Sequence, residues 1–417
     1  MTPISIRFPR ARTRLLGVTL AAVVAALVAF SGTAASAPKQ TTVEITVNTL
    51  PIANGLPLDL GIAKGFFEQQ GIRIKKVTLQ SGNDIVLALA NNSGEIGYIG
   101  YVPAMIGRTQ GIPITIVVAS DAEGVAEADN WQNILVKGSS SIRTPADLAG
   151  KTIAVNALKG VGEVMIKAAL QKRGVNPDSI RLLALPFPAM RTALQNGQVD
   201  AIWTPEPFMS QALNIDGARI VMAPGPVLGK YFPIGCYAAR NDWVRKNPGL
   251  MRKFRTAMNQ SLTYAQGHPT EIRALLPAAI RDIRLATWSP LIDRTQLLTL
   301  AKLTKEFGVI STLPNFTQLV PSFVEGGRTL QATVGSGSFL TLRLDGRKVQ
   351  KLKAGRYNVA VTDKSTKDNF HLRGAGVNRS TSVAKTQTAT WTVTLKKGLY
   401  RFSSDGTSKR RGSFRIT

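Results

Sequence analysis

The protein has 417 residues, which is long enough for two or three domains. Apolar residues make up 44% of the chain and charged residues 18%, a composition typical of folded rather than disordered proteins. Lysine and arginine outnumber aspartate and glutamate 52 to 25, and the resulting net charge of +27 favours anionic surroundings. One cysteine (Cys236) and two histidines (His268 and His371) exclude a disulfide framework and argue against zinc, iron–sulfur or redox sites.

Residues 1–37 have the layout of a secretory signal peptide. Four arginines precede an uncharged apolar run over residues 15–30, which is shorter than the ~20 residues of a spanning helix, and small residues follow. An A-x-A cleavage site ends at Ala37, although Pro38 directly after it leaves cleavage after Ala35, or retention as an anchor, open. No cysteine lies near this site, so we expect an extracytoplasmic protein that is not a lipoprotein.

Residues 38–330 alternate short apolar strands with helices of ten to fifteen residues, a pattern that predicts parallel sheets covered on both faces. Strands are predicted over residues 43–48, 74–79, 95–100, 114–120, 133–137, 152–156, 180–185, 199–203, 219–223 and 234–240. Helices are predicted over residues 58–71 (closed by Gly71), 83–94 (capped by Asn83), 104–110, 163–173 and 188–196, with two further helices beginning near 247 and 297.

Four segments of this region resemble one known family. They are PLDLGIAKGFFEQQGI (57–72), GEIGYIGYVPA (94–104), DLAGKTIAV (147–155) and ALQNGQVDAIWTPEPF (193–208). Their order and spacing are similar to those of periplasmic solute-binding proteins of the nitrate, sulfonate and taurine type. The resemblance implies an α/β, two-lobed, hinged fold of the type II class, which hands a solute to a membrane ABC permease. We expect lobe 1 at about 42–132 and 226–330, and lobe 2 at about 133–225.

The site is expected where strands end and helices begin, because ligands of open parallel sheets bind beyond the carboxyl ends of the strands. The turn from Lys159 to Gly162 lets the backbone approach a ligand and adds one positive charge, but its spacing is not that of a phosphate-binding loop. The predicted ligand-binding residues are Pro51, Asn54, Ser81, Gly82, Asn83, Gly100, Tyr101, Val102, Asn156, Lys159, Gly160, Val161 and Glu206.

Each of these residues also has a purely structural interpretation. The two glycines of the Lys159–Gly162 turn serve equally well as a strand-to-helix connection, and the lysine as a solvated loop residue. Tyr101 lines the cleft in the resembling family but is equally suited to core packing. Asn54 and Asn83 are common turn and cap residues in any α/β protein.

Glu206 bears on the charge of the ligand, because a buried carboxylate facing an anion would cost several kcal/mol or become protonated. Four further acidic residues follow the fourth strand and also disfavour a purely anionic ligand: Asp121, Glu123, Glu127 and Asp129. We therefore expect an amine-bearing, zwitterionic or sulfonate-type solute, similar to taurine or an alkanesulfonate, while bare nitrate fits less well. A pyrimidine of the thiamine-precursor type and an aromatic acid are the alternatives.

The C-terminal part is predicted to be a linker over residues 331–338 followed by a small all-β sandwich over 339–417. The strings NFHLRGAGV (369–377) and TWTVTLKKGLYRF (390–402) resemble the plastocyanin and azurin-like cupredoxins. Of the four ligands of a blue-copper centre only His371 remains. The places of the other three are taken by Ser404, Thr407 and Arg410, so we expect no metal and no cofactor.

This C-terminal part is the basic pole of the molecule. From Gly335 onward there are 18 basic and 4 acidic residues. For an exported protein the expected partner is an anionic cell-envelope polymer or lipid headgroups, and no nucleic acid.

The leading function is therefore non-covalent capture of a solute, with no enzymatic step. The thiamine-pyrimidine synthases resemble this fold but use a histidine and a cysteine-rich segment, and neither Cys236 nor His268 has such neighbours. Electron transfer is disfavoured by the lost copper ligands. A cell-envelope binding or sensing protein without transport remains as an alternative.

Overall fold

A computed structural model describes residues 42–321, 329–335, 339–344, 347–406 and 410–417. The predicted signal peptide lies outside the described residues. Within the described part of the chain, no helix combines the length and apolar character needed to cross a membrane.

Strands and helices alternate through residues 43–321. The strands are β1 (Val43–Thr49), β2 (Ile72–Thr78), β3 (Ile96–Gly100), β4 (Ile114–Ala119), β5 (Asp121–Ala122), β6 (Gln132–Val136), β7 (Thr152–Val155), β8 (Arg181–Ala184), β9 (Ala201–Pro205), β10 (Arg219–Met222), β11 (Gly235–Arg240) and β12 (Thr287–Trp288). The helices are α1 (Leu56–Ala63), α2 (Gly82–Ala90), α3 (Tyr101–Thr109), α4 (Val161–Lys172), α5 (Phe187–Gln195), α6 (Phe208–Asn214), α7 (Pro224–Leu228), α8 (Asn241–Lys246), α9 (Pro248–Gly267), α10 (Pro269–Ala274), α11 (Arg294–Glu306) and α12 (Phe316–Leu319).

Two five-stranded sheets form two lobes. The sheet of lobe 1 has the order β2-β1-β3-β11-β4, and that of lobe 2 has the order β10-β6-β9-β7-β8. Half of the neighbouring pairs run parallel, but β11 is antiparallel to β3 and β4, and β6 is antiparallel to β9 and β10. The expectation of parallel sheets therefore holds for only half of the strand pairs.

The two antiparallel strands follow from how the chain passes between the lobes. β6 is the first strand of lobe 2, and its first residue, Gln132, pairs with Pro205 at the end of β9. β11 returns the chain to lobe 1, and Gly235 at its start pairs with Gly100 at the end of β3. Both strands thus enter their sheets from the edge where the parallel strands end, which is the edge that faces the other lobe.

Helix α9 shows how the helical part packs onto lobe 1. Its apolar residues recur every three or four positions, and Phe254, Met258 and Leu262 are fully buried. The helix contacts α1 closely at Gly61, where a Cβ atom would lie 2.5 Å from Ser261 Oγ. A side chain larger than hydrogen at residue 61 would force the two helices apart.

Several element ends differ from the predicted ones. Helix α1 ends at Ala63, and Gly71, with a φ of 69°, closes a separate 3₁₀ turn at Glu68–Gln70. Helix α2 is capped by Ser81, whose Oγ accepts the Asp84 N–H at 3.1 Å, so Asn83 lies inside the helix rather than at its cap.

The C-terminal part is a sandwich of two further five-stranded sheets. Its strands are β13 (Thr329–Gly335), β14 (Phe339–Leu344), β15 (Arg347–Lys348), β16 (Lys351–Leu352), β17 (Gly355–Asp363), β18 (His371–Gly374), β19 (Val377–Ser380), β20 (Gln387–Leu395), β21 (Gly398–Ser403) and β22 (Arg411–Ile416). The sheets have the orders β15-β14-β13-β17-β20 and β16-β22-β21-β18-β19. Side chains from both, such as Val359 and Phe414, share one apolar core.

Strand β13 corrects the predicted linker over residues 331–338. Residues 331–335 belong to this strand, which lies in the middle of its sheet between β14 and β17. Leu330, Ala332 and Val334 alternate into the core, an alternation that the glycine- and threonine-rich composition of the segment concealed.

Candidate functional site

A cavity lies between the two sheets, with about 50 Å³ of open space in the described conformation. Both lobes line it with the ends of strands and the first turns of helices, and no residue of its lining is charged. The lining residues are Leu50, Ile52, Asn54, Gly82, Asn83, Tyr98, Ile99, Gly100, Pro103, Trp131, Gln132, Asn156, Ala157, Gly160, Val161, Phe187, Trp203, Pro205, Ile234 and Gly235.

Seven of the thirteen residues predicted from the sequence line this cavity. They follow β1 or β7, end β3, or open α2 or α4, as the rule for ligand sites beyond strand ends predicts. These seven are Asn54, Gly82, Asn83, Gly100, Asn156, Gly160 and Val161.

Six predicted residues do not line the cavity. Pro51 is half-buried beside it, and the Ser81 hydroxyl caps the N-terminus of α2. Tyr101 and Val102 open α3 and point into the core of lobe 1, where both are buried, so their placement in the cleft is wrong. Lys159 is exposed, and its N–H donates to Glu163 Oε2 at 2.7 Å.

Glu206, the sixth, is a structural residue between the lobes. Its carboxylate accepts hydrogen bonds from Ser210 Oγ at 2.8 Å, from Ser210 N–H at 3.0 Å and from Arg284 N–H at 3.1 Å. Its main chain links both lobes, because its N–H donates to the Trp131 carbonyl and its carbonyl accepts the Ala53 N–H. Burial raises the pKa of this carboxyl, and the bonds from Ser210 oppose the rise. The argument from Glu206 for an amine-bearing ligand therefore fails.

Four aromatic residues that the sequence analysis did not single out form much of the cavity wall. They are Tyr98, Trp131, Phe187 and Trp203. The rings of Phe187 and Trp203 lie 6.2 Å apart at 48°, and Trp131 Nε1 donates to the Ala122 carbonyl at 3.0 Å. Two of these residues could have been identified from their positions in the sequence. Trp203 lies near the end of β9, and Trp131 immediately precedes β6.

Among the described residues, two buried polar atoms of the lining side chains have no hydrogen-bond partner, the Asn54 Oδ1 acceptor and the Trp203 Nε1 donor. The other polar groups of Asn54 have partners. Its side-chain Nδ2 donates to Asp121 Oδ2 at 2.9 Å and to the Tyr98 hydroxyl. Its main-chain carbonyl accepts a hydrogen bond from Trp288 Nε1 at 2.9 Å. An unpaired buried polar atom costs about 1–3 kcal/mol.

Two carboxyl groups lie one layer behind the wall. Tyr98 OH donates to Asp121 Oδ1 at 2.6 Å, and burial raises the pKa of Asp121 to about 6. Gln132 Nε2 donates to Glu123 Oε1 at 2.5 Å, and burial raises the pKa of Glu123 to about 8. Glu123 is therefore mostly neutral at pH 7. Its hydrogen bond fixes the Gln132 side chain, which lines the cavity.

The lobes contact each other at the cavity. Asn83 Nδ2 on α2 donates to the Leu158 carbonyl in lobe 2 at 3.4 Å. A Cβ atom at Gly100 would lie 2.4 Å from Val161 Cγ2, so the end of β3 abuts the first turn of α4. The described conformation therefore has the two lobes in contact over the cavity.

The C-terminal sandwich holds His371 in a polar network. Its Nδ1 lies 2.5 Å from Asp405 Oδ2, its Nε2 lies 2.5 Å from Asn378 Oδ1, and Arg373 Nε contacts the same nitrogen at 3.0 Å. No group of three or more histidine, cysteine or acidic side chains within the described ranges is placed to hold a metal. Thr407 lies outside those ranges.

Comparison with known proteins finds curated relatives that match about half of this chain. The taurine-binding periplasmic protein of Escherichia coli is 28% identical over 191 residues, 45% of this chain and 56% of that protein. The nitrate/nitrite binding protein of a Nostoc species is 25% identical over 230 residues, 52% of each chain. The chain thus spans about half the length of these curated relatives. A more distant relative, a hydroxymethylpyrimidine phosphate synthase of Saccharomyces cerevisiae, is 20% identical over 241 residues, 54% of this chain and 67% of that protein.

Among solved structures, the alkanesulfonate-binding protein of Xanthomonas axonopodis, bound to MOPS, superposes with a TM-score of 0.54 at 19% identity. The match covers 68% of this chain and 97% of that one, and it shows the periplasmic binding protein fold. The family model described as "NMT1/THI5 like" matches residues 53–272, a little over half of the chain. The chain therefore belongs to the NMT1/THI5-like family.

Proposed function

We propose that this protein is the extracytoplasmic solute-binding component of an ABC importer, which holds one small molecule between its lobes and releases it unchanged to a membrane permease. The observation that carries the proposal is the cavity lined by both lobes at the carboxyl ends of their parallel strands. The relatives are named as binding proteins for taurine, for nitrate or nitrite, and for alkanesulfonates. These names support the same activity.

The cavity favours a solute with an apolar or aromatic body and one anionic head. Four aromatic side chains suit the body. The first turns of α2 and α4 both reach the cavity, and the N-cap residue Gly160 of α4 has no side-chain cap, so backbone N–H groups there are available to a sulfonate or carboxylate. Trp203 Nε1 is a further donor without a partner.

Taurine fits this cavity less well than an alkyl or aryl sulfonate. Its ammonium group carries a full positive charge, and the lining contains no carboxylate to neutralise it. Asn54 Oδ1 is the buried acceptor without a partner in the wall. An aminopyrimidine is the second candidate, because its exocyclic amino group would donate to this oxygen and its ring would pack among the aromatic side chains.

Thermal unfolding of the full chain with single solutes tests the proposal. Ethanesulfonate and taurine form a matched pair that differs by the amino group, and benzenesulfonate, benzoate, nitrate and an aminopyrimidine complete the set. A ligand at a hundredfold excess over its Kd raises stability by about 2.7 kcal/mol. We expect the largest shift with the alkyl or aryl anions. A shift with taurine alone would contradict the ligand class, and the absence of any shift would contradict solute binding.

A catalytic role has little support in the arrangement of the residues. Cys236 is fully buried in β11, and His268 is exposed at the end of α9, where its ring stacks 3.7 Å from that of Tyr264. Neither residue lines the cavity. Binding without chemistry is therefore the activity that we propose. A protein that senses the solute without a permease differs only in its partner, which co-purification with membrane proteins would identify.

A further inference from the structure

One sheet of the C-terminal sandwich carries cations along its outer face. Residues of β16, β22 and β21 alternate between the core and solvent, and Leu352, Phe402 and Phe414 are among those that point inward. The outward positions hold five exposed basic residues, which we call the basic face: Lys351, Arg373, Arg401, Arg411 and Arg415.

The strand register places these residues beside one another. Lys351 pairs with Arg415 across β16 and β22, and Arg373 pairs with Arg401 across β18 and β21. Arg411 and Arg415 lie four residues apart on β22, about 13 Å at the usual rise of a strand. Like charges directly opposite each other destabilise a sheet, so this arrangement costs stability unless an anion is bound.

Most positive charges of the basic face have no ion-pair partner among the described residues. Arg373 forms an ion pair with Asp405 at 3.3 Å. Within the part of the chain that the structure describes, Lys351, Arg401, Arg411 and Arg415 form no ion pair or side-chain hydrogen bond. The face therefore presents four free charges to an external partner.

We propose that the basic face docks onto anionic phospholipid headgroups. Leu399 lies on the same face, opposite Arg415, and is 45% exposed. An apolar side chain among cations suits the boundary between headgroups and acyl chains better than a hydrated anionic polymer. The face would hold the solute-binding lobes close to a membrane. This inference rests on the sandwich alone and does not depend on which solute the cavity binds.

Sedimentation of the full chain with lipid vesicles tests the inference. We expect binding to vesicles of phosphatidylglycerol and phosphatidylcholine, none to phosphatidylcholine alone, and weaker binding as salt is raised. The combined variant Lys351→Gln, Arg401→Gln, Arg411→Gln and Arg415→Gln should bind at least about tenfold more weakly, because each basic residue at an anionic surface contributes measurably. Lysine at the three arginine positions should preserve binding.

A matched control removes the same number and kind of charges elsewhere. Lys75, Arg143, Arg173 and Arg252 are exposed residues of the two-lobed part. Their combined replacement by glutamine should leave vesicle binding unchanged. An equal loss in this control would show that net charge, not the basic face, is responsible and would overturn the proposal. Binding of soluble polyphosphate without binding to vesicles would overturn the membrane as partner. Unfolding midpoints no lower than that of the native chain establish that both variants are folded.

Discussion

Trp203 is the residue through which the cavity is most directly tested. Its indole ring forms part of the wall, and its Nε1 is buried without a partner. We expect Trp203→Phe to bind the best solute of the thermal screen about fivefold more weakly, because one hydrogen bond contributes about 1 kcal/mol. Isothermal titration calorimetry measures the change. Trp243→Phe, at a tryptophan outside the cavity lining, is the control, and equal affinity of Trp203→Phe and the native chain would remove Trp203 from the site.

Glu123 is expected to make folding depend on pH. Its ordinary pKa is 4.5 and burial raises it to about 8, so the folded protein holds a proton that the unfolded chain has lost at neutral pH. This group therefore favours folding below pH 4.5, and its contribution falls by the order of a few kcal/mol as the pH rises to about 8.

The variant Glu123→Gln separates this effect from that of Asp121, whose pKa is also raised. Glutamine keeps the shape and does not titrate. Thermal unfolding between pH 5 and pH 8 should show a smaller loss of stability in the variant than in the native protein. Parallel curves for the two proteins would show that Glu123 is not protonated in the fold.

Residue-level reasoning from the sequence identified positions better than roles. Seven predicted residues line the cavity because the ends of strands and the starts of helices can be recognised locally. Glu206 was misassigned because its partners, Ser210 and Arg284, are brought to it by the turn after β9 and by a segment 78 residues away. Whether a charged side chain reaches the cavity depends on such contacts, so the uncharged lining of the cavity could not be predicted.

At the scale of elements, helix α4 is positioned by a glycine. A Cβ atom at Gly162 would lie 2.6 Å from Trp203 Cε3, so the first turn of α4 packs directly against the indole ring. We expect Gly162→Ala to destabilise the protein by about 1–3 kcal/mol and to weaken solute binding, because the ring must move. Urea unfolding and calorimetry measure the two effects.

Gly267→Ala is the matched control for this substitution. Gly267 ends α9, and no atom outside its neighbours lies within 4 Å of a Cβ atom built there. This variant should retain both stability and affinity. A similar loss in the two variants would indicate a general cost of alanine rather than contact with Trp203.

The order of the elements could be predicted from the sequence, but the direction of two strands and one domain boundary could not. In the sequence, β6 and β11 cannot be distinguished from their parallel neighbours, because an apolar run does not indicate the direction of its strand in the sheet. β13 was placed in a linker because its core-facing residues alternate with small and polar ones. Pairing partners far along the chain decide both features.

At the scale of the whole molecule, the sandwich and the two lobes have separate apolar cores. We expect residues 42–321 alone to bind the solute with the affinity of the full chain, and to lose binding to anionic vesicles. Calorimetry and vesicle sedimentation of the shortened protein measure the two properties. A large loss of solute affinity would show that the sandwich contributes to the site.

Native mass spectrometry of the full chain with the best solute tests the central claim most directly. The account predicts a complex with one solute molecule per chain, reduced in Trp203→Phe, from which unfolding releases the solute at its original mass. A released molecule of altered mass, or a complex that Trp203→Phe leaves unchanged, would contradict capture without chemistry in the cavity between the lobes.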